Sequence, residues 1–178
     1  VYVTGYTIGG AGLDGNTSAG NTDLFVVKYN SSGTKQWTKQ LGTSSNDSAN
    51  GVATDSSANV YVTGYTTGGL DGTNAGGHDL FVVKYNSSGT KQWTKQLGTS
   101  SYDQAYAVST DSSGNVYVAG ATRGSFSGFT NGGNYSCGSE NCWDFFAIKY
   151  SSDGTAIWTQ QMGTNWHEIA RGVTVDSS

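Results

Sequence analysis

The sequence predicts an all-β fold built of repeated four-stranded antiparallel sheets, and three observations carry that prediction. One 23-residue stretch, DLFVVKYNSSGTKQWTKQLGTSS, stands at Asp23 to Ser45 and returns unchanged at Asp79 to Ser101. A second phrase, VYVTGYT, occupies Val1 to Thr7 and Val60 to Thr66 and recurs as VYVAGAT at Val116 to Thr122. Both phrases alternate side chains with a period of two between clusters of Gly, Asn and Ser, the pattern of short strands joined by tight turns. A fixed period of this length marks a repeat architecture, in which each unit buries its faces against its neighbours.

Composition agrees. With 27 glycines, no proline, 12% charged residues and 35% hydrophobic residues, the chain reads as loop-rich and globular. The regular aromatic spacing argues against disorder. No apolar run approaches the ~18 residues of a membrane helix, so no membrane span is expected. The net charge is −4 and the nine Lys and Arg are spread over the repeats. No basic stripe is left to hold a phosphate backbone, which excludes nucleic acid as a partner.

The elements follow in order within each unit. In the second unit GVATD (Gly51 to Asp55) forms a first strand, DSSAN a turn, and NVYVTGYT (Asn59 to Thr66) a second strand with Val60 and Val62 on one face. LFVVKY (Leu80 to Tyr85) is apolar on both faces until Lys84 and so belongs between two layers. NSSG (Asn86 to Gly89) makes a hairpin turn, because Asn bonds its own backbone and Gly accepts positive φ. KQWTKQLG closes the unit, with Trp93, Lys95 and Leu97 on one face. A third, degenerate copy, DFFAIKYSSDGTAIWTQQMGT, runs from Asp144 to Thr164. All insertions fall between the VYVTG phrase and the DLFVV phrase, which is therefore a loop. Four short antiparallel strands, apolar on both faces and repeated, describe blades of a β-propeller: about three repeats of 56–65 residues, 1–59, 60–115 and 116–178, in permuted phase.

The turn and strand DSSANVYVTG (Asp55 to Gly64) and DSSGNVYVAG (Asp111 to Gly120), followed by DLFVVKYNSSGTKQWTKQLG, resemble the SBBP repeats of extracellular bacterial and archaeal seven-bladed β-propellers. The resemblance implies a propeller fold and a secreted or cell-surface setting, but no single activity. NSSGTKQW is also similar to the turn-and-tryptophan motif of quinoprotein propellers, which implies that Trp37, Trp93 and Trp158 pack between blades. No residue of a quinone site is matched, and no cofactor is expected.

Candidates for chemistry are few. His78 and His167 occupy different phases of the repeat, and neither has a Ser or Cys partner at a motif spacing, so no catalytic residue is expected. Asp55, Asp111 and Asp176 recur in D-S-S turns. Calcium would use such oxygens, but a side chain bonding its own turn accounts for them more simply, and no metal site is expected. Cys137 and Cys142, five apart in CGSENC, are expected to form a disulfide worth about 2 kcal/mol and to place the chain in an oxidising compartment. Reduced surface thiols are the alternative; zinc lacks a second pair of ligands. Asn16, Asn30, Asn46, Asn86 and Asn134 stand in N-x-S/T sequons.

The insertion between Arg123 and Asp144 is the expected recognition surface, with Phe126, Phe129, Tyr135 and Trp143 as binding aromatics for a glycan or a surface protein. The function these features point to is a non-enzymatic extracellular propeller used for assembly, adhesion or surface binding. The alternative is the propeller domain of a secreted enzyme, as scaffold or with a central-channel site. The chain opens without Met on a second-strand phrase and closes on GVTVDSS, a first strand and its turn. Gly172 to Asp176 is accordingly expected to pair with a VYVTG-type strand supplied either by further blades or by a second copy of the chain.

Overall fold

The hairpin turns form as the NSSG stretches dictate. Asn30 Oδ1 accepts the backbone N–H groups of Ser32 and Thr34 at 3.1 and 2.8 Å, and Asn86 does the same for Ser88 and Thr90. Gly33 and Gly89 take φ of 81° and 80°, a left-handed conformation that other residues adopt at a cost. In the computed structural model, which describes residues 1–10, 12–132 and 142–176, these turns join two pairs of a set of eleven strands. They are β1 (Tyr2–Ile8), β2 (Thr22–Tyr29), β3 (Lys35–Leu41), β4 (Asp47–Thr54), β5 (Val60–Thr66), β6 (Asp79–Tyr85), β7 (Lys91–Leu97), β8 (Asp103–Thr110), β9 (Val116–Thr122), β10 (Asp144–Tyr150) and β11 (Ala156–Met162).

The strands pair with their chain neighbours in three antiparallel sheets: β1-β2-β3, β4-β5-β6-β7 and β8-β9-β10-β11. The fold is all-β, with two complete four-stranded blades and one three-stranded sheet. Among the described residues no helix is long and apolar enough to cross a membrane. Residues 172–176 belong to no strand, and β1 has a sheet neighbour on one side, β2.

The first strand of each full blade starts earlier than its apolar pattern suggests. β4 begins at Asp47 rather than Gly51, because a bulge between Ala49 and Gly51 breaks the alternation. β8 carries the same irregularity between Ala105 and Ala107. At each bulge the neighbouring strand comes so close that only glycine fits. A Cβ on Gly64 would lie 1.9 Å from the Ser48 carbonyl oxygen, and one on Gly120 would lie 2.0 Å from that of Gln104.

The two faces of the middle blade feed two separate cores. Val60, Val62, Phe81 and Val83 join Leu24 and Val26 of the first sheet. Tyr61, Leu80 and Val82 join Val116, Val118, Phe146 and Ile148 of the third. A strand with apolar residues on both sides thus supplies one layer to each neighbour, which gives the unbroken LFVV run its physical reason.

A clamp repeats at each junction. Trp37 Nε1 and Lys28 Nζ donate to the Ser87 carbonyl in the next blade's turn at 3.3 and 3.0 Å; Trp93 and Lys84 donate to Ser152 at 3.3 and 2.9 Å. A Cβ on Gly89 would meet the Trp37 ring at 3.1 Å, and one on Gly154 would meet Trp93 at the same distance. Trp158, the third of the series, meets no such turn among the described residues and is 39% exposed.

Candidate functional site: an arginine and aromatic cluster at one blade junction

The exact repeat acts as an internal control. Just past its end the sequence NDSAN (46–50) is replaced by YDQAY (102–106), and just before its start Thr22 is replaced by His78. The backbone is the same in both places. Thr22 and Asn46 form a parallel bridge, as do His78 and Tyr102. Four larger side chains are therefore hung on an unchanged frame, at alternate positions of β8 and at the base of β6.

They gather at one end of the junction between the second and third blades. The His78 ring stacks on Tyr65, with centroids 4.3 Å apart and planes 13° from parallel, and meets the edge of Tyr102 at 4.8 Å. Burial holds the His78 pKa below its ordinary value, so the ring is neutral at pH 7. Its Nδ1 can then accept from Gln104 Nε2 at 2.6 Å, while Gln104 Oε1 accepts from the Tyr106 hydroxyl at 2.6 Å. The chain Tyr106–Gln104–His78 fixes the orientation of the stack.

Cations complete the cluster. The Arg123 guanidinium lies 5.8 Å from the centre of the Tyr102 ring and 4.9 Å from that of Trp143; Arg171 lies 5.1 Å from Tyr106. These are the chain's two arginines. The second histidine, His167, accepts the Trp143 backbone N–H at 3.1 Å through Nδ1. His78, Tyr102, Gln104, Arg123 and Trp143 enclose an open cleft of about 240 Å³. Arg123 also borders a larger cleft of about 500 Å³, where Thr99, Ser100, Ser101, Ser125 and Ser127 offer hydroxyl groups.

Two buried carboxylates lie in the frame beneath, and each accepts from a loop N–H and from a strand side chain. Asp79 Oδ2 accepts the Ala75 N–H and Gln96 Nε2, each at 2.8 Å. Asp103 Oδ2 accepts the Thr99 N–H at 2.6 Å, and its Oδ1 accepts from Thr122 at 2.5 Å. Burial raises the Asp103 pKa against those donors. The first junction holds the same arrangement with Asp23, Gln40 and Asp47, so it belongs to the repeated frame.

The expected loop aromatics separate. Phe126 is 5% exposed and packs edge-on against Phe146 at 5.5 Å, inside the blade core rather than on a binding surface. The cause lies in the frame: Gln161 Oε1 accepts the Phe126 N–H at 3.0 Å, as Gln96 accepts Leu70 and Gln40 accepts Leu13. Phe126 is thus the third member of a series of loop anchors. Phe129 packs against the same core. Tyr135 and Cys137 lie outside the described residues. Cys142 is buried, with Sγ 3.0 Å from the Asn165 carbonyl oxygen. Trp143 alone of the four aromatics reaches the cleft among the described residues.

The D-S-S turns carry bonds of their own. Asp55 Oδ1 accepts the Ser57 and Asn59 N–H groups at 2.9 Å, and its Oδ2 accepts Asn59 Nδ2 and the Tyr61 hydroxyl. Asp111 repeats the set with Ser113, Asn115 and Tyr117. These carboxylates organise turns. Among the described residues no group of three or more His, Cys, Asp or Glu is placed to hold a metal.

The cluster is not legible in what the repeats share, because most of its members stand where the repeats differ. Aligning the two identical units and asking where their flanks differ would have found His78, Tyr102, Gln104 and Tyr106. The chain's two arginines are a further signal, whereas Tyr65 lies in a repeated phrase and carries none.

Residues 36–71 and 92–127 match the SBBP family, described as a Beta-propeller repeat. Each match begins in the last strand of one blade and ends beyond the second strand of the next, so it spans a junction. The chain is also 28% identical over 179 aligned residues to an uncharacterized WD repeat-containing protein of Acanthamoeba polyphaga mimivirus, covering 89% of this chain and 13% of that protein. It is 28% identical over the same length to the regulatory protein FlaEY of Caulobacter vibrioides, covering 93% of this chain and 18% of that protein. The chain thus spans less than a fifth of either relative.

Proposed function

We propose, taking its SBBP Beta-propeller repeats as the premise, that the chain is a non-enzymatic recognition module of an extracellular or cell-surface protein. One observation carries the reading. The blade frame repeats, whereas the residues that differ between the two junctions collect His78, Tyr102, Gln104, Arg123 and Trp143 around a single cleft, with His78 stacked on the repeated Tyr65. Rigid sheets hold the rings in place, so little side-chain entropy is lost when a partner docks. The exposed flank carrying Trp158 is where a further blade or a second copy would stack.

The test is a screen of the chain against glycan and cell-surface protein arrays, beside a hydrolase and dehydrogenase panel. Its control is a variant in which His78→Thr, Tyr102→Asn and Gln104→Ser restore the residues of the first junction. The expected outcome is a specific array signal that this variant loses while its circular dichroism spectrum is unchanged. Turnover of any substrate by the chain, or a signal the variant keeps, would overturn the reading.

A further inference from the structure

The two internal junctions show what each outer sheet lacks. The Trp37 and Trp93 rings cover the turns of the next blade, each 3.1 Å from a Cβ built on Gly89 or Gly154. The matching turn of the first sheet, Asn30 to Gly33, has the same bonds and the same φ at its glycine, yet nothing lies within 4 Å of a Cβ built on Gly33. Among the described residues it is a socket without its tryptophan. Trp158 is the reverse case, a tryptophan without a socket. Its ring stands 6.1 Å from Tyr117, as Trp37 stands 5.9 Å from Tyr2 and Trp93 6.0 Å from Tyr61, and Lys149 lies over Tyr117 as Lys28 lies over Tyr2.

The sheet faces divide in the same way. Val3, Phe25, Val27 and Tyr29 border an open, largely apolar cleft of about 450 Å³, whereas their counterparts Val62, Phe81, Val83 and Tyr85 in the middle blade are buried against the first sheet. On the third blade Trp158 and Met162 are exposed, whereas their counterparts Trp93 and Leu97 pack on the neighbouring core. The strand edges follow. Thr164 N and Oγ1 donate to the Glu168 carboxylate at 2.9 and 2.5 Å, and Glu168 N donates to the Trp143 carbonyl at 2.6 Å, repeating the Thr99–Asp103 and Asp103–His78 bonds ahead of β8. Residues 168–175 are thus set as a first strand without a second, and β1 is a second strand without a first among the described residues.

The middle blade stands between the two open faces and feeds a core on each side, so neither face reaches the other within one copy. We propose that a second copy of this chain supplies each missing half, head to tail, so that two copies form a ring of six blades. Trp158 and Lys149 of one copy then donate to the carbonyl of Ser31 of the second copy, as Trp93 and Lys84 donate to Ser152. Residues 168–175 pair with β1 in the register of β4 on β5, which sets Val173 opposite Val3 as Val52 stands opposite Val62. A head-to-tail contact gives a closed ring when its rotation closes, and six blades fall within the roughly 4 to 8 of propellers. The inference concerns the outer faces and is independent of the recognition cleft, whose variants alter neither.

The experiment is sedimentation velocity of the 178-residue chain over a dilution series. The expected result is a species of twice the 18.6 kDa chain mass that gives way to single copies on dilution. Two variants each spoil one face: Trp158→Ala with Met162→Lys on the third blade, and Val3→Lys on the first sheet. Each alone should stay a single copy with an unchanged circular dichroism spectrum. An equal mixture should regain a two-copy species, because each retains the face the other has lost. As a check that does not depend on those variants, Val3→Cys with Val173→Cys in one chain should give a covalent two-copy species on mild oxidation. A single-copy mass at every concentration, a two-copy species that either face variant keeps, or assemblies beyond two copies overturns the inference. Failure of positions 3 and 173 to crosslink overturns the strand pairing.

Discussion

The first and second blade junctions of this molecule are built from the same 23 residues and differ in what decorates them. At the first, Thr22, Asn46, Ser48 and Asn50 sit on the frame; at the second, His78, Tyr102, Gln104 and Tyr106 occupy the same places, with Arg123 beside Tyr102 and Arg171 beside Tyr106. Both carry the Trp–turn clamp, the Asp–Gln loop anchor and the buried Asp of the first strand. The packing contacts are therefore carried by positions that repeat, and the proposed recognition residues stand mainly at positions that do not. Within this single chain, the repeat itself separates the two sets of positions.

The largest effect should come from a loop anchor. Phe126→Ala removes a ring that is buried on Phe146 and should cost about 3 to 4 kcal/mol, measured by denaturant unfolding. Leu70→Ala, at the matching but more open anchor of the middle blade, should cost less. An equal and small cost for both would mean that Phe126 does not seat the loop.

Next come the glycines at the bulges. Gly120→Ala drives a methyl into the Gln104 carbonyl and should destabilise by about 3 kcal/mol. The equivalent Gly5→Ala meets only the Phe25 ring, at 3.0 Å, because among the described residues no first strand lies beside β1. It should cost well under half as much. Thermal unfolding of the two variants side by side checks the contrast.

The clamp gives a third comparison. Trp93→Ala loses both its packing on Gly154 and its bond to Ser152 and should cost about 2 kcal/mol. Trp158→Ala should cost under about 1 kcal/mol in the isolated chain, where its ring is partly in water. A cost at Trp158 matching that at Trp93 would show that its flank is covered in solution.

The smallest effect is a pH dependence in the turns. Burial opposes ionisation of Asp55, but the donors on Asn59, Tyr61 and Ser57 outweigh it and hold the carboxyl below its usual value. A carboxyl with a depressed folded pKa stabilises above its ordinary pKa near 4, and that contribution is lost as pH falls through the folded value. Asp55→Asn should therefore lower stability by about 1 kcal/mol at pH 7. The gap from the parent should shrink as pH drops toward 3 in urea titrations. A gap that stays constant with pH would remove the ionised carboxylate from the account.

Much of the fold could be read directly. The alternation of Val60 and Val62, the two-faced LFVV run and the NSSG turns each encode local geometry in a few adjacent residues, and each has the expected structure. Two features could not be read this way. The early start of β4 was hidden because a bulge shifts the alternation by one residue and because its first residues, Asp47 and Ser48, are polar yet buried. The role of Phe126 was hidden because an aromatic residue stands where its repeat partner 56 residues earlier, Leu70, is aliphatic, and because Leu13 falls two residues later in its own loop.

By itself, the sequence determined the strand units, their turns, their count and the tryptophan that recurs in each, since these depend on residues close together in the chain and on an exact repeat. Tertiary structure alone decided which residues meet across a junction. Tyr65, His78, Tyr102, Arg123 and Trp143 are separated by up to 78 residues and become neighbours only when two blades stack. Their partners are set by the pitch between sheets and by the bulge that re-aims β8, and no local propensity records either.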